Sequence, residues 1–290
     1  MDITLALGGG GSRGAAHIGV LRVLARNGFR IRAVAGTSIG SVVGAFYAFG
    51  YTPDEIETLF ASVDFSRLLY GWPLSEGPGL LGIRGITDFL RTHLGNRNFD
   101  DLQIPLAVVA VDLNSRREII LREGRVVDAI LGSIAIPGIF PPKEYEPYRL
   151  VDGGTLNPVP VNVARALLPD LPVVAVNLNP PLDQPSTPLN LQLPGPRTLV
   201  EQISRLNLTQ AFQIFGEAVD IGQRELTELR LEIDKPAVII SPLVSDIGLL
   251  DAIDVNKIAS RGEIATLEAL PALKHAVSWR ARLMRSLLRR

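Results

Sequence analysis

Two glycine-rich loops are the places in this sequence where chemistry is best prepared. Gly8-Gly9-Gly10-Gly11-Ser12-Arg13-Gly14 follows the apolar run Ile3 to Leu7 and precedes the helical pattern Ala15 to Arg26. Such a loop turns backbone N–H groups toward one point beside the positive end of a helix, and so suits an anion or a developing oxyanion. Gly9, Gly11 and Gly14 also satisfy the dinucleotide pattern G-x-G-x-x-G, but where an acidic residue should hold the ribose the sequence has Gly36-Thr37-Ser38. The second loop, Gly36-Thr37-Ser38-Ile39-Gly40, reads G-x-S-x-G. Gly36 and Gly40 permit the sharp turn that presents a serine oxygen at a helix N-terminus. The plainer alternative is that Gly36, Gly40 and Gly44 let a helix approach a sheet, with Ser38 an ordinary N-cap.

A nucleophilic serine needs a base, and the chain offers only three histidines. His17 shares a helical face with Val20, Leu21 and Leu24 and reads as a core residue, while His93 lies beside Leu94-Gly95 and His275 in a charged tail. An α/β-hydrolase triad would place its serine deeper in the chain and follow it with an acid and then a histidine. The base is therefore expected to be a carboxylate. Asp112 ends the run Val108 to Val111, and Asp152 ends Leu150-Val151. Asp152 is followed by Gly153-Gly154, which frees the backbone to aim a carboxylate at a partner. Either could instead be a turn aspartate that bonds its own backbone.

The elements that must hold these loops can be read from periodicity. Ile3 to Leu7 and Ile31 to Ala35 are strand-like, Ala15 to Arg26 and Ser38 to Phe49 helical, and Thr52-Pro53-Asp54-Glu55 caps a third helix. This βαβα order predicts an α/β fold, with a mostly parallel central sheet and helices on both faces. Asp64 to Gly85 lacks a period and reads as a long loop or lid. Ile104 to Val111 is a further strand, Arg117 to Leu121 its antiparallel neighbour, and Val126 to Ile134 a helix that ends before Pro137. Pro137 to Pro142 is expected to be a rigid, extended crossing. Val161 to Leu168 reads as helix and Val173 to Asn177 as a late strand, so the motif-bearing core spans about residues 3–177. Asn179 to Pro196 is proline-rich and linker-like, and 198–290 is a mostly helical flank with one strand near Ala237 to Ser241. The whole of 1–290 is expected to form a single domain.

Composition narrows the function. The 290 residues are 47% hydrophobic, with 29 Lys and Arg against 30 Asp and Glu, so no global field would gather nucleic acid. With no Cys, thiolate metal sites, iron–sulfur clusters and cysteine nucleophiles are excluded. The uncharged stretch Ala33 to Pro53 has about the 20 residues of a membrane span, but its glycines and hydroxyls fit a strand, a turn and a buried helix better. Asp2 after Met1 and the early glycines do not fit a secretory signal, which predicts a cytoplasmic protein. Between Ala276 and Arg290, Trp279, Leu283 and Leu287 oppose five arginines. That tail is either an interfacial helix drawn to anionic lipid, a peripheral membrane contact, or a solvated terminal helix.

Taken in order, Gly9-Gly10-Gly11-Ser12-Arg13-Gly14, Gly36-Thr37-Ser38-Ile39-Gly40, the block Ser133 to Pro142 and Asp152-Gly153-Gly154 resemble the four blocks of the patatin-like phospholipases. The resemblance implies hydrolysis of lipid acyl esters by a Ser-Asp dyad. Ser38 would be the nucleophile, Asp152 the base, and the N–H groups of Gly9, Gly10 and Gly11 the oxyanion hole, with Arg13 supporting the loop and Gly36 and Gly40 forming the elbow. It implies a lipid or acyl-ester substrate and calls for no metal or organic cofactor. Two other functions fit the same residues: an acyltransferase that passes the acyl group to an acceptor other than water, and a nucleotide-binding regulatory protein.

Overall fold

A computed structural model describes residues 1–63, 81–184, 187 and 208–281, apart from the side chains of 208–213. Its centre is an eight-stranded sheet made of β1 (Asp2–Leu7), β2 (Arg30–Thr37), β3 (Leu106–Asp112), β4 (Arg117–Leu121), β5 (Lys143–Tyr145), β6 (Tyr148–Asp152), β7 (Val173–Val176) and β8 (Val238–Ile240). The pairs β8–β7, β7–β1, β1–β2 and β2–β3 are parallel, whereas β3–β4, β3–β6 and β5–β6 are antiparallel. The sheet is thus mixed, parallel at its centre and antiparallel at one end.

Alternation along the strands divides the core. Leu5, Leu7, Val34, Val108, Val174 and Val176 face a large apolar cluster, while Ala6, Ala35, Ala107 and Ala175 face a smaller one on the other side. The small side chains on that second face let α6 (Val161–Leu167) lie close to the sheet. The larger face is covered by α1 (Ala16–Arg26), α2 (Ile39–Phe49), α3 (Pro53–Ala61), α4 (Arg84–Leu94), α5 (Val126–Ser133) and α8 (Val255–Ala276). Leu21, Leu24, Phe46 and Leu90 are fully buried there, each worth about 1.5–3 kcal/mol. The long helix α7 (Leu208–Asp234) reaches the smaller cluster through Leu231.

Two expectations need revision. Residues 137–142 do not cross as an extended segment: Ile139 and Phe140 both donate backbone N–H groups to the Ile136 carbonyl, and Gly138 at φ 81° closes a tight turn. The proline-rich composition is satisfied by turns as readily as by extension. The turn leads into β5, a short hairpin partner of β6 that its polar residues Lys143 and Glu144 concealed. The predicted lid 64–85 overlaps the start of α4 at Arg84, and 64–80 lie outside the described residues. So do most of the linker 179–196 and residues 282–290 of the basic tail.

One ionic hub ties three helices together. Arg22 of α1 is buried and donates to Asp54 (2.6 Å) and Glu57 of α3 and to Glu263 of α8 (2.7 Å). Its removal leaves the partly buried Glu57 and Glu263 and the exposed Asp54 with no cation between them. Arg22→Met is expected to lower stability by roughly 2–4 kcal/mol, read as a lower urea midpoint at unchanged m-value.

Candidate active site

The first residue beyond β2 is Ser38, and its backbone lies at φ 54°, ψ −127°. A positive φ in a residue that carries a Cβ is strained, and surrounding contacts must hold it. They do so here. The Ser38 N–H donates to Ser133 Oγ (2.8 Å), whose hydroxyl donates to the Val109 carbonyl (2.6 Å). Behind it, the Ser38 carbonyl accepts from the Ser41 N–H at 2.8 Å, opening α2. Gly40 is required because a Cβ there would sit 2.2 Å from the Leu7 carbonyl oxygen. The close helix–sheet approach is present, and Ser38 opens α2 with a positive φ and no side-chain cap bond rather than as an ordinary N-cap.

Asp152 reaches Ser38 through sheet register. β2 runs parallel to β3 and ends with Thr37 opposite Val109, while β6 runs antiparallel and ends with Asp152 opposite Ala110. β4 occupies the other edge of β3 along Val108 to Asp112. β2 and β6 therefore meet end to end on one edge of β3. Ser38 Oγ donates to Asp152 Oδ2 at 2.6 Å, and Asp152 Oδ1 accepts from the Gly154 N–H at 2.7 Å. Both residues are buried. Burial pushes the Asp152 carboxyl up to about 6 against the opposing pull of the bonds from Ser38 and Gly154.

The remaining predicted residues are distributed differently. Asp112 accepts from the N–H groups of Asn114, Ser115 (2.8 Å) and Arg149 (2.9 Å), and bonds from Ser115 and Arg149 hold it at about 2. It is a turn residue with its lone pairs engaged. His17 is fully buried with Nε2 2.9 Å from the Gly8 carbonyl, and burial pulls it down to about 4. His93 packs its ring against Phe46 and Phe89, and His275 is exposed in the last turn of α8. No described hydrogen bond joins a histidine to Ser38 or Asp152.

In the glycine loop, the Gly9 N–H donates to the Pro158 carbonyl at 2.9 Å and so is already engaged. The N–H groups of Gly10 and Gly11 have no acceptor among the described residues. Arg13 is buried and donates from Nε to the Ile247 carbonyl at 2.7 Å, bracing the loop from outside. Thr37 Oγ1 donates to the Asn157 carbonyl at 2.8 Å, so the elbow, the glycine loop and the loop after Asp152 are bonded to one another. Ser133, Thr37 and Asn157 were not singled out from the sequence, since a hydroxyl or amide that bonds a distant backbone leaves no local pattern.

Two cavities open at Ser38. One, of about 110 Å³, is almost wholly apolar, with Val42, Phe60, Phe89, Leu90 and Ile134 in its wall. The other, of about 60 Å³, carries Asn179, Asp220 and Gln223 beside the glycine loop and Asp152.

Residues 5–165 match the family model for patatin-like phospholipases, and the chain belongs to that family. Among curated relatives, one uncharacterized NTE family protein of Mycobacterium tuberculosis is 36% identical over 177 residues, covering 61% of this chain and 49% of the relative. A second from that organism is 30% identical over 285 residues, covering 93% and 47%. A lysophospholipase of Mycosarcoma maydis, NTE1, is 34% identical over 176 residues, covering 58% of this chain and 9% of the relative. The chain thus spans about half the length of the mycobacterial relatives. Among solved structures, VipD from Legionella pneumophila is 12% identical with a TM-score of 0.60, covering 93% of this chain and 67% of its own, which shows the fold. Among the described residues no helix is long and apolar enough to cross a membrane.

The raised Asp152 carboxyl carries a stability cost with a definite sign. The folded state holds its proton up to about pH 6 and the unfolded state only to about 3.8, so stability falls as pH rises through that window. An asparagine carbonyl can accept from the Gly154 N–H while its amide donates to Ser38 Oγ, which reverses that bond but buries no charge. Asp152→Asn is therefore expected to be more stable than the native chain at pH 7, by at most about 3 kcal/mol. The gain should shrink toward zero by pH 4 in parallel urea titrations.

Proposed function

We propose that this chain is a serine lipid acyl hydrolase in which Ser38 is the nucleophile and Asp152 its general base. The observation that supports this most is the 2.6 Å hydrogen bond from Ser38 Oγ to a buried carboxylate, made at the N-terminus of α2. As Oγ attacks the ester carbonyl carbon, its proton passes to Asp152 Oδ2. The carbonyl oxygen becomes an oxyanion facing the free N–H groups of Gly10 and Gly11, where the start of the helix leading into α1 adds its positive end. Collapse breaks the ester C–O bond, and the leaving alkoxide takes the proton from Asp152. Water then repeats the attack on the acyl-serine, giving its proton to Asp152 and restoring Ser38 as the fatty acid departs.

The cavities suit this chemistry. The apolar one would hold an acyl chain, and the polar one, with its amides and a carboxylate, an alcohol leaving group that carries hydroxyls. An aspartate at its ordinary pKa of about 3.9 would be a weak base at neutral pH, and burial brings Asp152 closer to the working range.

Ser38→Ala and Asp152→Asn are each expected to lower hydrolysis of a p-nitrophenyl acyl ester by roughly 10³-fold or more while the protein stays folded. In the native chain kcat/KM should rise with pH through about 6, because the deprotonated carboxylate is the active form. His17→Gln, His93→Gln and His275→Gln should retain most of the activity. Full turnover by Ser38→Ala, or a dead but folded His93→Gln variant, would overturn the assignment.

A further inference from the structure

Four residues border both cavities: Gly11, Ser38, Ile136 and Leu249. Gly11 has no side chain, and Ser38 supplies the reacting hydroxyl. Ile136 and Leu249 are thus the apolar side chains shared by the two spaces, and both are half-buried. They come from segments more than a hundred residues apart, the turn after α5 and the loop between β8 and α8.

Each is held in place by bonds that do not involve its own side chain. The Ile136 carbonyl accepts from Ile139 and Phe140, closing the turn. The loop that carries Leu249 is pinned to the glycine loop by three bonds: Ser12 N–H to the Leu249 carbonyl (2.9 Å), Ser12 Oγ to the Asp251 carbonyl (2.8 Å), and Arg13 Nε to the Ile247 carbonyl. The Asp251 carboxylate accepts from the Gly248 N–H at 2.7 Å and tightens its tip. Gly11, at φ 55°, lies so near that a Cβ would stand 2.0 Å from the Leu249 carbonyl oxygen. At the loop's base Val244 and Ile247 are buried in the core, and Arg261 of α8 pairs with Asp246.

We propose that Ile136 and Leu249 form a rigid apolar neck at Ser38 that sorts the two halves of an ester, directing the acyl chain to the apolar cavity and the alcohol to the polar one. They act as specificity-determining residues, and the inference rests on the acyl-serine reading above. Leu249 lies outside residues 5–165, the part that matches the family model. Selectivity between the two halves is therefore set partly by the C-terminal third of the chain. A rigid neck matters because an apolar chain can enter either space if the wall between them yields, and the ester would then be presented to Ser38 in reverse.

Two isomeric esters separate these outcomes: methyl dodecanoate, with its long chain on the acyl side, and undecyl acetate, with it on the alcohol side. The native chain should prefer methyl dodecanoate. Leu249→Ala and Ile136→Ala should each cut the ratio of the two kcat/KM values by roughly tenfold, the low end of what one methylene group is worth in an apolar pocket. The rate of Ser38 labelling by a small methyl fluorophosphonate should stay within about twofold of native, since the dyad is untouched. Val244→Ala, which trims the same loop where it borders neither cavity, should leave the ratio unchanged. An unchanged ratio in both neck variants with normal labelling would overturn the neck, as would an equal shift in Val244→Ala. If the native chain is not labelled at Ser38 at all, the dyad reading fails, and the neck fails with it.

Discussion

The site depends on how two strands, β2 and β6, share one edge of a third, β3. β2 arrives at β3 in parallel and stops opposite Val109; β6 arrives from the other direction and stops opposite Ala110. Because side chains alternate along a strand, a slip of one residue in either pairing would turn the terminal residue to the opposite face of the sheet. The facing ends bring Ser38 and Asp152, 114 positions apart in the chain, within 2.6 Å. Ser133 holds this junction from below by accepting from Ser38 and donating to Val109, so the strained serine and the strand it abuts are bonded through one hydroxyl. The positive φ of Ser38 is sustained by that network and not by any preference of serine.

Burial acts on this junction in two directions. It excludes water and raises the Asp152 carboxyl, which makes a better base and at the same time disfavours the folded state wherever the group must be charged. The cost is carried by a scaffold with apolar clusters on both faces of its sheet and with Arg22 joining α1, α3 and α8. Two helical segments begin at residues that line both cavities, α2 after Ser38 and a short 3-10 turn from Gly11 that leads into α1. The N-terminal end of a helix carries a partial positive charge. Asp152 instead stands at the end of β6, with the Gly154 N–H as its backbone donor.

The glycine loop does not stand alone. Gly9 is bonded to Pro158, Ser12 to Leu249 and Asp251, and Arg13 to Ile247, so its shape is set by the loop after Asp152 on one side and by the loop after β8 on the other. The second of these contacts comes from beyond the residues that match the patatin-like model. The part of the chain with the weakest motif content thus supplies a wall of both cavities and a brace for the glycine loop.

What the sequence determined by itself was local. Glycine freedom marked the two loops, periodicity and caps marked β1, α1, β2, α2 and α3, and the order of the blocks identified the family. These signals are legible because each arises from the conformational needs of a few adjacent residues. Tertiary structure decided what depends on distant partners. Asp112 and Asp152 both end apolar strands, and the glycines after Asp152 only favoured it. The pairing shows that the Asp112 carboxylate is taken up by Asn114, Ser115 and Arg149 while that of Asp152 faces Ser38. The same holds for Gly9, whose N–H proved to be occupied, for the turn at 137–142, for Ser133, and for the shared wall made by Ile136 and Leu249. In each case the partner lies elsewhere in the chain or the turn depends on packing, and a contact closed over a long loop leaves no imprint on the spacing of neighbouring residues.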